Sequence, residues 1–140
     1  MCTDFTTLAE SNDYRHILQC EHGTIHLTWD LVTMYLNFIE FEQLIRLLDR
    51  GVQLTGPSKI GEPNCVLVYK EQGFYQLWLR NVGINLTPVD FLILVDMARA
   101  AFKEVHEKQT PELMTRSTGE MSQIFHRTVE ASATISFSLN

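Results

Sequence analysis

The stretch "CEHGTIH", residues 20–26, places Cys20, His22 and His26 close together in an otherwise apolar run. Thiolate and imidazole are the donors that bind zinc and related ions, four of them in a tetrahedron at structural sites. A thiol beside an imidazole is also the pairing that activates a cysteine nucleophile. The first chemistry makes Cys20, His22 and His26 metal ligands, with zinc as the cofactor. The second lacks a nucleophile elbow or a family-specific cysteine signature around Cys20. Cys2 lies in the polar segment "MCTDFTTLAESNDY", which reads as unstructured and offers a nucleophile no oriented pocket. The sequence contains no H-E-x-x-H, no G-x-S-x-G and no Gly-rich phosphate loop.

The elements that carry these residues are read best from an internal repeat. Shifted by fifty residues, "GTIHLTWDLVTMYLNFIEFEQLIRLL" aligns without a gap on "GFYQLWLRNVGINLTPVDFLILVDMA". Gly23/Gly73, Leu27/Leu77, Val32/Val82, Leu36/Leu86, Phe41/Phe91 and Leu44/Leu94 are identical across the shift. Each copy reads as three strands and a helix. The strands are "YRHILQC", "TIHLTW" and "VTMYL" in the first copy, and "NCVLVYK", "FYQLWL" and "VGINL" in the second. Asn37 with Glu40, and Thr87 with Pro88 and Asp90, are helix-start signatures. Apolar positions then recur at helical spacing, and the second helix is expected to end near Lys108.

The expected fold is therefore α+β: a duplicated βββα unit, with antiparallel sheets covered by helices on one face and a pseudo-twofold relation between copies. The copies span about 14–50 and 64–108 in one domain, 1–108. Residues 51–63, "GVQLTGPSKIGEP", read as a linker loop. Residues 109–140 form a C-terminal extension, with one amphipathic turn around Met121, Ile124 and Phe125. Glu40, Glu42 and Asp49 are assigned to a solvated outer face of the first helix.

The repeat weighs against a structural metal, because Lys70, Gln72 and Gln76 stand at the positions of Cys20, His22 and His26. Copy two builds the unit without ligands. It also points to a surface. In the second copy Phe74, Gln76 and Trp78 alternate with Tyr75, Leu77 and Leu79, so both strand faces are apolar and one needs a cover. Tyr35, Phe74, Tyr75 and Trp78 are the candidate partner-binding anchors.

A formal charge of −6, with lysines and arginines scattered singly, is the wrong footprint for nucleic acid. Three cysteines without a C-x-x-C pair fit reduced thiols. The N-terminal segment lacks the basic and apolar parts of a signal peptide, and no apolar run reaches the ~18 residues of a membrane span. A soluble cytoplasmic protein is expected.

At "QCEHGTIHLTWDLVTMYLNFIEFEQL" the chain resembles a group of small uncharacterised bacterial proteins, a domain of unknown function with a Cys/His-containing β-hairpin followed by a helix. The matching residues are Cys2, Cys20, His22, Leu36, Glu40 and Phe41. The resemblance covers residues 1–50 and implies a fold unit and a Cys/His site. The chain departs from the pattern in lacking a second cysteine beside Cys20, which weighs against zinc.

Taken together, the sequence favours a non-enzymatic binding or adaptor domain acting through a protein partner or self-association as a homodimer. Its rivals are a metal- or thiol-dependent site at Cys20, His22 and His26, and a small-ligand sensor with a pocket between the copies.

Overall fold

A computed structural model describes the backbone of residues 2–116 and the side chains of residues 2–107. Two antiparallel four-stranded meanders, each followed by a helix, make up the fold. The first is β1 (Phe5–Asn12), β2 (Arg15–Cys20), β3 (Ile25–Trp29) and β4 (Val32–Leu36), leading into α1 (Phe38–Gly51). The second is β5 (Ser58–Glu62), β6 (Cys65–Tyr69), β7 (Tyr75–Leu79) and β8 (Val82–Leu86), leading into α2 (Pro88–Arg116).

The duplicated unit expected from the repeat is present, with one further strand at the front of each copy. The supposedly unstructured N-terminal segment supplies β1, and the supposed linker supplies β5. The second helix also runs past Lys108 to Arg116. The amphipathic turn expected around Met121, Ile124 and Phe125 lies outside the described residues.

Local chemistry accounts for the repeated geometry. Gly23 and Gly73 close equivalent turns at φ 86° and 90°, a region costly for any side chain with a Cβ. The next turn of each copy places Asp30 and Arg80 at φ 56°, and their amides donate to the carbonyls of Tyr14 and Asn64 respectively. α1 opens with a complete capping box. The Asn37 side chain accepts from the Glu40 amide at 2.8 Å, and the Glu40 carboxylate accepts from the Asn37 amide at 2.9 Å. At α2, Thr87 Oγ1 accepts from the Asp90 amide at 3.1 Å.

The helices pack across the duplication. α1 lies against β5 and β6, α2 lies against β1 and β2, and the two helices touch each other. One continuous core results, with Ile17, Leu27, Phe41 and Leu44 from the first unit and Leu67, Leu77, Phe91 and Leu94 from the second all essentially inaccessible. Each such side chain stabilises the fold by roughly 2–3 kcal/mol, so neither unit keeps its full core alone.

Helix one is not the solvated acidic face expected from its sequence. Glu40 and Asp49 are buried, and only Glu42 of the three keeps appreciable exposure. Their counter-charges come from the other unit, which a single helix cannot reveal. Glu40 pairs with Arg80. Asp49 accepts from Arg99 Nε at 3.0 Å and lies 2.9 Å from its Nη2.

Positions 49 and 99 are equivalent under the fifty-residue shift, so this pair joins two copies of one position and marks the pseudo-twofold axis. The Glu40–Arg80 contact also has its counterpart, at Asp90 and Asp30. There both groups are acidic, and Arg15 reconciles them by binding Asp30 Oδ1 at 2.9 Å and Asp90 Oδ1 at 2.9 Å. Its guanidinium lies 4.1 Å from the centre of the Trp29 ring.

Candidate metal centre

The site is assembled where β1 begins and β2 ends. The antiparallel register sets Phe5 opposite Cys20 and Leu18 opposite His26. His26 in turn stands opposite Tyr35. Phe5, Cys20, His26 and Tyr35 therefore share the sheet face turned away from the helices. The segment before β1 continues beyond Cys20 along the turn Glu21–His22–Gly23, which brings Cys2 over that turn.

Glu21 holds the segment there. Its carboxylate accepts from the backbone amides of Thr3 at 3.0 Å and Asp4 at 2.9 Å, while its own amide donates to the Asp4 carbonyl at 3.2 Å. Hydrogen bonds from the Thr3 amide, its own amide and that of Asp4 hold the Glu21 carboxyl down at about 2. It is a fixed anion beside the cluster.

Cys2 Sγ lies 3.6 Å from His22 Nδ1 and 3.8 Å from His26 Nε2, and Cys20 Sγ lies 3.9 Å from His22 Nδ1. One ligand atom each from Cys2, Cys20, Glu21 and His22 lies within 4.8 Å of every other, a group that could hold a metal ion. His26 borders it through Cys2. Its ring is almost fully covered, with the Phe5 and Tyr35 rings edge-on at 5.1 Å and 4.8 Å.

The two thiols titrate as a pair. Cys20 is lowered to about 5, first by a hydrogen bond from Cys2 and then, against burial, by His26 and the His22 and Thr24 amides. Cys2, which keeps the shared proton, is raised to about 11 by that same hydrogen bond, helped by burial. The first proton leaves easily and the second reluctantly, and a bound cation would displace both.

The structure thus brings together the sequence-derived Cys20, His22 and His26 and adds Cys2 and Glu21. Cys2 escaped the reading of the residues because the strand that positions it went unrecognised. The four expected partner-binding residues do not form one patch. Tyr75 faces the core, stacked between Tyr69 and Phe91 at 4.5 Å and 4.1 Å, so it is no surface anchor. Trp78 covers Gly83, where any Cβ would fall 2.8 Å from its ring. Tyr35 lies on the first sheet against His26, and half-buried Phe74 precedes β7 of the second.

A cleft between the units, of about 200 Å³, is lined by residues including Met34, Leu36, Glu40, Asn64 and Arg80. That is below the ~300–1,000 Å³ of ordinary small-molecule sites, and the Glu40–Arg80 pair already occupies its wall. Among the described residues, no helix is long and apolar enough to cross a membrane. Comparison of the chain with protein-family models, with curated proteins and with solved structures finds no match.

Proposed function

We propose that this chain is a zinc-type metal-binding protein in which Cys2, Cys20, His22 and His26 close one tetrahedral site. The observation that carries the reading is the spacing of the donors. Zinc bonds of about 2.3 Å to sulfur and about 2.0–2.1 Å to nitrogen, at tetrahedral angles, give sulfur-to-nitrogen edges of about 3.5–3.6 Å. Three of the four sulfur-to-nitrogen separations, 3.6, 3.8 and 3.9 Å, differ from that by a few tenths of an ångström, with His26 reaching the group through Cys2. Glu21 is the less suitable fourth donor, since both its oxygens already accept backbone amides. Its role is to position Cys2.

Four protein donors leave no open coordination position, so the site serves structure and recognition rather than catalysis. A metal there fastens the segment before β1 to the β2–β3 turn and fixes the Phe5 and Tyr35 rings, both well exposed, as a rigid surface for a binding partner. The second unit has Lys70, Gln72 and Gln76 in place of Cys20, His22 and His26, so the stoichiometry is one metal per chain.

The test is elemental analysis of the full chain purified without a histidine tag, beside Cys20→Ser. One zinc per chain, absent from the variant while its far-ultraviolet circular dichroism is unchanged, supports the reading. A wild-type protein that takes up no zinc after reduction and reconstitution refutes it.

A further inference from the structure

We propose that Cys2 and Cys20 form a reversible disulfide whose closure by a peroxide expels the metal, an inference that rests on the metal reading above. Both are free thiols, and their sulfur atoms lie within 4.8 Å of each other. A disulfide needs about 2.05 Å, so the gap to close is less than about 3 Å. Cys2 can travel that distance because it precedes Phe5, the first residue of the β1–β2 ladder, so the strand pairing stays in place. Cys65 is no competitor, since it is buried in β6 of the other sheet.

Cys2, the more exposed of the two thiols, gives up its proton and attacks one peroxide oxygen through the resulting thiolate. The O–O bond breaks, giving a sulfenic acid at Cys2 and a hydroxide that takes up a proton. The thiolate of Cys20 then attacks that sulfenic sulfur. The S–S bond forms as the S–O bond breaks, and the second oxygen leaves as water. Two thiols are oxidised by two electrons and one hydrogen peroxide is reduced to two waters. A disulfide sulfur no longer donates as a thiolate, so two of the four donors are lost together and the remaining imidazoles cannot hold the ion. A dithiol reductant reverses the sequence.

The experiment treats the reduced full-length chain, metal-free and zinc-loaded, with one equivalent of hydrogen peroxide. Zinc release is read with a chromogenic chelator, and the thiols by non-reducing peptide mapping and intact mass. The expected result is a Cys2–Cys20 cross-link within one chain, a mass loss of about 2 Da for the two hydrogens, an untouched Cys65 and zinc released in step, all reversed by dithiothreitol. Cys65→Ser behaves as the wild type. Sulfinic acids without a cross-link, a cross-link to Cys65 or between chains, or zinc retained after the cross-link forms each overturn the inference while leaving the metal reading standing. A chain that never binds zinc overturns both, and peptide mapping of the metal-free sample still shows whether the thiols pair.

Discussion

Replacing Arg99 by methionine tests the idea that the two units are locked by one ion pair on the pseudo-twofold axis. Asp49 is about 1% exposed, and Arg99 supplies its close cation. Removing one partner of a buried pair costs about 3–5 kcal/mol, because the remaining charge is stranded. An escape route sets a ceiling on that cost: the stranded carboxyl can take up a proton. At pH 7 this means protonating a group about three pH units above its ordinary value of 3.8, or about 4 kcal/mol at roughly 1.4 kcal/mol per unit. At pH 5 the same step costs under about 2 kcal/mol.

The sign agrees with the wild type. Burial raises the Asp49 pKa, and Arg99 opposes that rise. A carboxyl with a raised folded-state value favours the folded state at low pH and loses that contribution as pH climbs through it. The expected result in urea unfolding is a loss of about 3–4 kcal/mol for Arg99→Met at pH 7, shrinking by at least about 1 kcal/mol at pH 5. The double variant Asp49→Leu, Arg99→Met recovers most of the loss, since no charge remains to strand. A penalty under about 1 kcal/mol at pH 7, or one independent of pH, would refute the assignment of the pair as the buried lock.

Three further outcomes follow from the site and the core. Glu21→Ala, which frees the Thr3 and Asp4 amides, weakens zinc binding by about 10–100-fold in competition with a chelator of known affinity, with the fold unchanged by circular dichroism. In the metal-free protein, the protection of those two amides is full above pH 4.5, the ordinary value for Glu21, and is lost as pH falls toward about 2. Amide resonances that stay constant across that window would contradict the clamp. Gly51→Ala sets a Cβ 2.3 Å from Leu67 Cδ2 and 3.1 Å from Phe91 Cζ, and lowers stability by about 1–3 kcal/mol in denaturant titration.

What the sequence reveals and what it hides divide along physical lines. β2 to β4 and β6 to β8 occur twice in one register, so agreement between copies locates them and the caps at Asn37 and Thr87. β1 and β5 are edge strands. β1 buries Leu8 alone among its residues, and its register slips between Thr7 and Ala9 and again between Glu10 and Asn12, which destroys the period-two signal. β5 has no fully buried residue and includes Gly61. Without β1 nothing in the sequence places Cys2 beside Cys20 and His22, because the pairing of Phe5 with Cys20 carries the start of the chain to the β2–β3 turn. The burial of Glu40 and Asp49 is hidden from the sequence for a related reason. Their cations, Arg80 and Arg99, lie forty and fifty residues downstream, where helical periodicity has no reach. The Cys/His cluster itself stands in the sequence, but the repeat argued against it by showing a unit that folds without ligands. In the structure the cluster joins the segment before β1 to the β2–β3 turn, a place where the second copy has Lys70, Gln72 and Gln76 instead.

The most direct test of the account is X-ray absorption at the zinc edge on the reconstituted full-length chain. Two sulfur neighbours near 2.3 Å and two imidazole nitrogens near 2.0–2.1 Å are the predicted shell, with Cys2→Ser exchanging one sulfur for a lighter atom. A shell of oxygen and nitrogen without sulfur, or one that Cys2→Ser leaves unchanged, would contradict it.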